Sequence, residues 1–125
     1  MARILVIDDD IQICEMLSQM LQKEGFEVAY AENGIKAGRI YRAIFVDLVI
    51  TDIIMPDKEG LETIVELRRD FPDIKIIAIS GGGRVGPEPY LKMAKSMGAM
   101  FTFVKPIDRG ELVDAIHKAL GSEKK

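Results

Sequence analysis

Apolar and polar residues are arranged along this chain in blocks, with short β-rich runs separated by longer stretches of helical periodicity. The runs cover residues 4–7, 26–30, 47–51, 74–79 and 101–104. Several are apolar without alternation, which is typical of strands covered on both faces. Between them, apolar residues recur at spacings of three and four, as on one face of a helix. The pattern predicts five strand–helix units in succession.

Five such units predict an α/β protein with a parallel sheet and helices on both faces. The crossover connections of such a sheet are right-handed. Three predicted helices have a clear apolar face, marked by Ile11, Cys14, Leu17 and Leu21, by Leu61, Ile64 and Val65, and by Leu112, Ile116, Ala119 and Leu120. The helix predicted over residues 34–42 is more weakly patterned. Gly25 is predicted to terminate the first helix.

The composition predicts one globular domain. The chain has 125 residues, of which 48% are hydrophobic, enough for a core. Its net charge of −3 and scattered basic residues argue against a nucleic-acid surface, and no stretch approaches the ~20 apolar residues of a membrane helix. The single cysteine, Cys14, cannot form an intramolecular disulfide and fits a reducing setting. We expect a cytoplasmic protein with one domain over residues 1–120 and a disordered tail over residues 121–125.

Polar side chains with the means to do chemistry follow four of the predicted strands. They are Asp8, Asp9 and Asp10 after the first strand, Asp52 after the third, Ser80 at the end of the fourth and Lys105 at the end of the fifth. The carboxyl ends of parallel strands share one edge of the sheet, where open α/β sheets place their sites. We therefore expect these side chains to lie together.

Carboxylates crowded at this edge repel one another, which would raise the pKa of one of them or require a cation. Mg²⁺ prefers hard oxygen ligands and binds through one or two carboxylates, water and phosphate oxygens. Asp52 follows an apolar run and is a candidate covalent acceptor of a phosphoryl group. Lys105 and Ser80 offer a positive charge and a hydroxyl donor to the transferred oxygens. These residues predict a phosphoryl-transfer site, although Asp10 serves equally well as the N-cap of the next helix.

Four sequence motifs, in this order and at these separations, closely resemble those of the receiver domains of bacterial response regulators. They are ILVIDDD, DLVITDIIMPDKEG, AISGG and FVKP, and the resemblance extends from residue 3 to about residue 120. It implies a flavodoxin-like, doubly wound sheet of five strands in the order 2-1-3-4-5. It also implies a single-domain signalling protein of a two-component system, similar to chemotaxis regulators, rather than an enzyme that turns over a separate substrate.

The resemblance assigns roles to the residues at matching positions. Asp52 is the phosphoacceptor. The Mg²⁺ ligands are Asp8, Asp9, Asp52 and the backbone carbonyl of Ile54. Ser80 is the switch hydroxyl, and Lys105, joined to Pro106 by a cis bond, is the lysine that assists phosphorylation.

One position departs from the pattern that receivers commonly show, and two further positions bear on loss of the phosphoryl group. Where a Tyr or Phe switch residue stands three residues before the lysine, this chain has Thr102, which has no ring to bury. Two residues beyond the acceptor and two beyond the hydroxyl, where side chains flank the hydrolytic water, it has Ile54 and Gly82. The departure at Thr102 removes ring burial as the switch, and Ile54 and Gly82 predict slow loss of the phosphoryl group.

The resemblance also implies partners. A sensor histidine kinase or a histidine phosphotransfer protein would supply the phosphoryl group. No output domain follows in the sequence, so we expect the chain to act on a downstream protein target, with a phosphorylation-dependent dimer as a further option and without contact to nucleic acid or membrane. The segment over residues 80–89, with three successive glycines, is the part expected to move.

Alternatives from other classes fit less of the sequence. A haloacid-dehalogenase-type phosphatase would use Asp8 and Asp10 as a DxD motif, but it needs a second acidic pair after a later strand and leaves Asp52 unexplained. A flavin-binding module of the same topology would have a phosphate loop rich in Ser, Thr and Gly, where this chain has three aspartates. A receiver-like interaction module that never accepts phosphate stays open.

Overall fold

Strands and helices alternate along the whole of the described chain. The computed structural model describes residues 2–53, 59–81 and 88–121. The elements are β1 (Arg3–Ile7), α1 (Ile11–Lys23), β2 (Glu27–Ala31), α2 (Gly34–Ala43), β3 (Leu48–Asp52), α3 (Glu59–Asp70), β4 (Ile76–Ser80), α4 (Glu88–Ser96), β5 (Phe101–Val104) and α5 (Arg109–Leu120). The five predicted strands and the predicted helices are therefore present, with ends that shift by one or two residues.

The five strands form one parallel sheet in the order β2-β1-β3-β4-β5. Both the α/β class and the strand order expected from the resemblance are confirmed. All five residues of β3 and of β4 are buried, since helices cover both faces of the sheet centre. This burial explains why the two strands read as unbroken apolar runs in the sequence.

The sheet separates two hydrophobic cores, one on each face. The first contains Leu5, Val49 and Ala78 from the strands with Ala37, Ile64, Leu67 and Ala94 from α2, α3 and α4. The second contains Val6, Ile50 and Ile77 with Cys14, Leu17, Leu21, Leu112 and Ile116 from α1 and α5. Alternate residues of each strand therefore serve opposite cores, which fixes the direction of every side chain at the strand ends.

Two residues predicted on apolar helix faces are exposed. Val65 is 47% exposed and Ile11 is 41% exposed. Val65 directly follows the buried Ile64, and one residue turns a helix by about 100°, so Val65 lies off the stripe that continues at Leu67. Ile11 is the first residue of α1 and lies at the rim of the sheet. The expected core faces are confirmed at Cys14 and the residues after it.

Polar caps set the helix starts next to the sheet. Asp10, Asn33 and Asp108 are the N-cap residues of α1, α2 and α5, and each side chain accepts a hydrogen bond from a backbone N–H of the first turn. Gly25, with φ of 96°, follows the end of α1 as predicted. Among the described helices, none has the length and apolarity needed to cross a bilayer.

Candidate functional site

The sheet brings the predicted site residues to one edge. β1 ends directly before Asp8, β3 ends with Asp52, β4 ends with Ser80, and Lys105 directly follows β5. The register pairs Asp52 with Ile79 and Ser80 with Val104, so these ends lie side by side. The predicted juxtaposition at the carboxyl edge is therefore present in the structure.

The acidic residues form a compact cluster. One carboxylate oxygen each from Asp8, Asp9 and Asp52 lies within 4.8 Å of the other two. Asp8 is fully buried and Asp52 is 3% exposed, whereas Asp9 faces solvent. The cluster therefore has a buried floor of two carboxylates and a third carboxylate at its open side.

Lys105 joins the two buried carboxylates. Its ammonium Nζ donates to Oδ2 of Asp8 at 3.1 Å and to Oδ2 of Asp52 at 3.1 Å. Its backbone N–H donates to the carbonyl oxygen of Ser80 at 2.9 Å, and the bond from Lys105 to Pro106 is cis, as predicted. The lysine was expected to contact transferred oxygens; its position between two carboxylates is an additional feature.

Asp8 is held from several directions. Its Oδ1 accepts from the backbone N–H of Asp10 at 2.9 Å, and its own N–H donates to the carbonyl of Ala31 at 3.1 Å. The Cys14 thiol donates to the Asp8 carbonyl at 3.3 Å. The sequence placed Cys14 on the apolar face of a helix but did not predict this contact. A spacing of six residues across a turn carries no recognisable signal for it. These bonds fix the Asp8 carboxylate before any ligand binds.

The environment shifts the pKa values of two groups. Burial raises the pKa of Asp8 to about 6, with a further contribution from the charge of Asp52 and opposition from the Asp10 N–H and Lys105. Burial alone would lower the pKa of Lys105, but the Asp52 and Asp8 carboxylates outweigh it and raise that pKa above its ordinary value. Lys105 is therefore a permanent positive charge in the neutral pH range.

The donor set fits a hard divalent cation. Three carboxylates meet here, and within the ranges that the structure covers Lys105 is the cation that forms ion pairs with them. The cluster therefore keeps an excess of negative charge in a buried place, which is costly without a counter-ion. Carboxylate oxygens are also the ligands that Mg²⁺ prefers. Asp8, Asp9 and Asp52 could hold such an ion.

Asp10 does not belong to this cluster. Its Oδ1 accepts from the N–H of Gln12 at 2.9 Å, which is the N-cap bond of α1. The sequence left a cap and a functional role equally open for Asp10. The geometry favours the cap.

The two residues expected to act as the switch lie on neighbouring strands, Ser80 at the end of β4 and Thr102 within β5. Ser80 is fully buried. Thr102 is partly buried and pairs with Ala78 in the sheet. Phe101 and Phe103, its neighbours, pack against the core between the sheet and α1 and α5. Because side chains alternate along a strand, Thr102 belongs to the opposite face, and neither phenylalanine takes the place of the missing ring.

Several predicted features lie outside the described residues. They are Ile54, whose carbonyl was the fourth expected metal ligand, Gly82, and all but the ends of the segment over residues 80–89.

An open α/β sheet with an acidic cluster and a lysine at its carboxyl edge defines the CheY-like class of signalling domains. A model of the response regulator receiver domain matches residues 4–117, and the chain belongs to this family. It is thus a receiver domain of the two-component type. Receiver domains bind Mg²⁺ at an acidic pocket and are phosphorylated by histidine kinases. This assignment decides against the dehalogenase-type phosphatase and the flavin-binding module considered above.

Individual relatives agree with the family. The chain is 34% identical to the chemotaxis protein CheY of Treponema pallidum, over 94% of this chain and 82% of that protein. It is 35% identical to the transcriptional regulatory protein ZraR of Klebsiella oxytoca, over 94% of this chain. The chain spans about a quarter of the length of ZraR and of similar curated regulators.

A solved structure also shares the fold. The response regulator TrrA from Thermotoga maritima, in complex with Mg²⁺ and beryllofluoride, is 37% identical, with a TM-score of 0.83. The match covers 96% of this chain and all of TrrA.

The raised pKa of Asp8 predicts a pH-dependent stability. The native state holds the Asp8 proton up to about pH 6, and the unfolded state releases it near 3.8. Between these values the native state binds more protons, so the free energy of unfolding falls as pH rises, by about 3 kcal/mol in total. Asp8→Asn removes this loss. In urea unfolding without Mg²⁺, its stability relative to wild type should rise by about 2–3 kcal/mol from pH 4 to pH 7.5.

The exposed Asp114 in α5 supplies a matched control. Asp114→Asn should change the unfolding free energy by less than about 0.5 kcal/mol at either pH. A stability difference between Asp8→Asn and wild type that stays constant with pH would contradict the assigned effect of burial.

Proposed function

We propose that this chain receives a phosphoryl group on Asp52 from a histidine of a partner protein, in a Mg²⁺-dependent reaction. The observation that carries this proposal is the position of the Lys105 ammonium, 3.1 Å from both Asp52 and the buried Asp8. Lys105 thereby places a positive charge directly beside the Asp52 carboxylate, which is buried at the carboxyl edge of the sheet. Such a carboxylate is a suitable covalent acceptor.

Transfer requires one bond to form as another breaks. A carboxylate oxygen of Asp52 attacks the phosphorus, the bond from phosphorus to the donor histidine nitrogen breaks, and that electron pair stays on the imidazole. The Lys105 ammonium and the Ser80 hydroxyl are placed at neighbouring strand ends to donate to the phosphoryl oxygens. Both groups already lie at the same edge of the sheet as Asp52, so little reorganisation is needed for the transfer.

Asp8, Asp9 and Asp52, with the carbonyl of Ile54, would hold the Mg²⁺ ion. When bound, Mg²⁺ supplies positive charge that neutralises the carboxylates and the phosphoryl oxygens. The chain itself contributes a rigid Asp8, fixed by the Asp10 N–H and Lys105, and an Asp9 that is open to solvent. The rigid floor and open side together allow an ion to enter a site that is already shaped.

Phosphorylation would bias a pre-existing equilibrium between two conformations. Ser80 and Thr102 are the switch positions in this proposal. Ser80 would move toward the phosphoryl oxygens, and the backbone bond between Lys105 and Ser80 couples β4 to β5. Thr102 can follow such a movement without the rotation of a bulky ring.

The wider setting belongs to the same proposal. Residues 1–120 would form the receiver unit, with residues 121–125 as a tail, in the cytoplasm. The donor would be a sensor histidine kinase or a histidine phosphotransfer protein, and the readout a downstream protein target or a phosphorylation-dependent dimer. The chain would assist its own phosphorylation without turning over a separate substrate.

The acceptor assignment is tested with a small-molecule donor. Incubation with acetyl phosphate and Mg²⁺ should add one phosphoryl mass to the intact protein. Asp52→Asn should abolish the addition, because the amide is not a competent nucleophile, and Asp114→Asn should leave it unchanged. Equal labelling of Asp52→Asn and wild type would refute the acceptor, and no labelling of wild type would favour the phosphate-independent module.

Two adjacent aspartates separate the metal role from the cap role. Asp9→Ala should weaken Mg²⁺ binding by about tenfold or more, measured by calorimetric titration, because it removes a ligand. Asp10→Ala should cost about 0.5–2 kcal/mol of stability, because the Gln12 N–H loses its acceptor, with little change in Mg²⁺ affinity. Both residues are exposed, so they form a matched pair. An equal loss of affinity in the two variants would show that the triplet is misassigned.

The phosphorylated protein should lose its phosphoryl group slowly, over many minutes or longer. Hydrolysis needs a water held in line with the phosphorus by a positioned side chain. At the two positions that flank this water, Ile54 has no polar group in its side chain and Gly82 has no side chain. The decay after donor removal, followed by intact mass, should be faster in Ile54→Asn or Gly82→Glu. Wild-type decay within seconds would contradict this account.

A further inference from the structure

Thr51 places a hydroxyl group inside the sheet, directly before Asp52. Its side chain is fully buried, and in the strand register it lies between Ile7 of β1 and Ala78 of β4. Both of these neighbours belong to the hydrophobic core on the side of α2, α3 and α4. Burying a hydroxyl in such surroundings is costly unless it forms a hydrogen bond. Valine has the same branched shape without that cost, so packing alone does not call for a threonine here.

The Thr51 hydroxyl is hydrogen-bonded to the main chain of the proposed acceptor. Its Oγ1 donates to the carbonyl oxygen of Asp52 at 3.1 Å. The N–H of the same peptide group belongs to Ile53, and it donates to the carbonyl of Ile79 in β4 at 2.9 Å. The peptide group that joins Asp52 to Ile53 is therefore held at both of its polar ends, by a side chain at one and by the neighbouring strand at the other.

This peptide group connects two parts of the site. On one side of it is Asp52, whose carboxylate accepts a hydrogen bond from the Lys105 ammonium at 3.1 Å. On the other side the chain continues through Ile53 to Ile54, whose carbonyl is the proposed fourth Mg²⁺ ligand. Because peptide groups are planar, the orientation of this one relative to the Asp52 side chain is set by the ψ angle of Asp52. A bond that fixes the Asp52 carbonyl therefore fixes how the acceptor carboxylate is placed relative to the main chain that follows it.

We propose that Thr51 is a positioning residue for phosphoryl transfer. Its hydroxyl holds the peptide group after Asp52, and through it the acceptor carboxylate and the metal-binding main chain keep their relative places. This inference rests on the proposed function of Asp52. Thr51 acts only through the main chain of Asp52, at a distance from the transferred group. Such an effect can be large, since a misplacement of about 1 Å can cost about 100-fold in rate.

Two substitutions separate the hydroxyl of Thr51 from its methyl group. Thr51→Val keeps the branched shape and removes the hydroxyl, whereas Thr51→Ser keeps the hydroxyl and removes the methyl. With acetyl phosphate and saturating Mg²⁺, the initial rate of labelling, followed by intact mass, should fall about fivefold or more in Thr51→Val and stay within about twofold of wild type in Thr51→Ser. The urea midpoints should have the opposite order, because Thr51→Ser loses a buried methyl group. A purely structural role would make the labelling rate follow stability, with Thr51→Ser the slower variant.

Amide hydrogen exchange tests the peptide group itself, without Mg²⁺ or a phosphoryl donor. It is followed by NMR in the isotope-labelled full chain. The Val49 N–H is the internal reference, because it belongs to the same strand and donates to the carbonyl of Lys75 at 2.9 Å. The exchange rate of the Ile53 N–H relative to that of Val49 should rise about threefold or more in Thr51→Val and stay near the wild-type ratio in Thr51→Ser.

Thr63 supplies a matched control for the loss of a hydroxyl. It is a threonine of α3 that is 5% exposed, and it lies outside the acidic site. Thr63→Val should leave both the labelling rate and the exchange ratio unchanged. Wild-type labelling of Thr51→Val, equal slowing in Thr51→Val and Thr51→Ser, or an unchanged exchange ratio in Thr51→Val would overturn the inference. If the wild-type protein takes up no phosphoryl group, the proposed function fails instead, and the exchange ratio still decides whether the Thr51 hydroxyl holds the peptide group.

Discussion

The site depends on one interaction, the ammonium of Lys105 shared between the carboxylates of Asp8 and Asp52. Two carboxylates at the ends of neighbouring strands could not both remain ionised in a buried place without a nearby positive charge. The lysine reaches them across the end of β4, because parallel strands bring the carboxyl ends of β1, β3 and β5 to one side of the sheet. The strand order and the electrostatics of the site therefore support each other.

This arrangement leaves the site incompletely neutralised. Lys105 compensates one charge of a cluster of three carboxylates, and the pKa of Asp8 stays high at about 6 in spite of it. The remaining charge is a cost to folding and at the same time an affinity for a cation. A divalent ion would recover that cost on binding, because it binds the native state and not the unfolded chain. The uncompensated charge therefore lowers the stability of the free protein and raises its affinity for a cation at the same place.

Much of the fold could be predicted from residue patterns, and the reason is local. Unbroken apolar runs such as those that became β3 and β4 reveal strands buried on both faces, whatever their neighbours are. The order of the strands could not be predicted in this way, because periodicity does not indicate which strands are neighbours. That order was implied by the resemblance of four motifs. The errors at Ile11 and Val65 arose because an apolar residue on or near a helical stripe need not meet a neighbour.

The residues of the site could be placed at one edge of the sheet, but their contacts could not be predicted. The 3.1 Å bonds of Lys105, the turn that aims the Asp10 N–H at Asp8, and the Cys14 contact depend on side-chain directions and turn geometry. The spacing of residues in the sequence does not indicate any of these contacts.

If position 102 acts as the proposed switch, Thr102 changes how the site can communicate with the rest of the molecule. A ring at this position would report on Ser80 by moving between buried and exposed places, but Phe101 and Phe103 pack into the other core and cannot stand in for it. What remains is the backbone. The Lys105 N–H is bonded to the Ser80 carbonyl, and the Lys105 ammonium is bonded to Asp52, so one residue ties the end of β4 to the proposed acceptor. A displacement of the Ser80 carbonyl or of the Asp52 carboxylate would therefore also act on Lys105 at the end of β5, with or without an aromatic side chain at position 102.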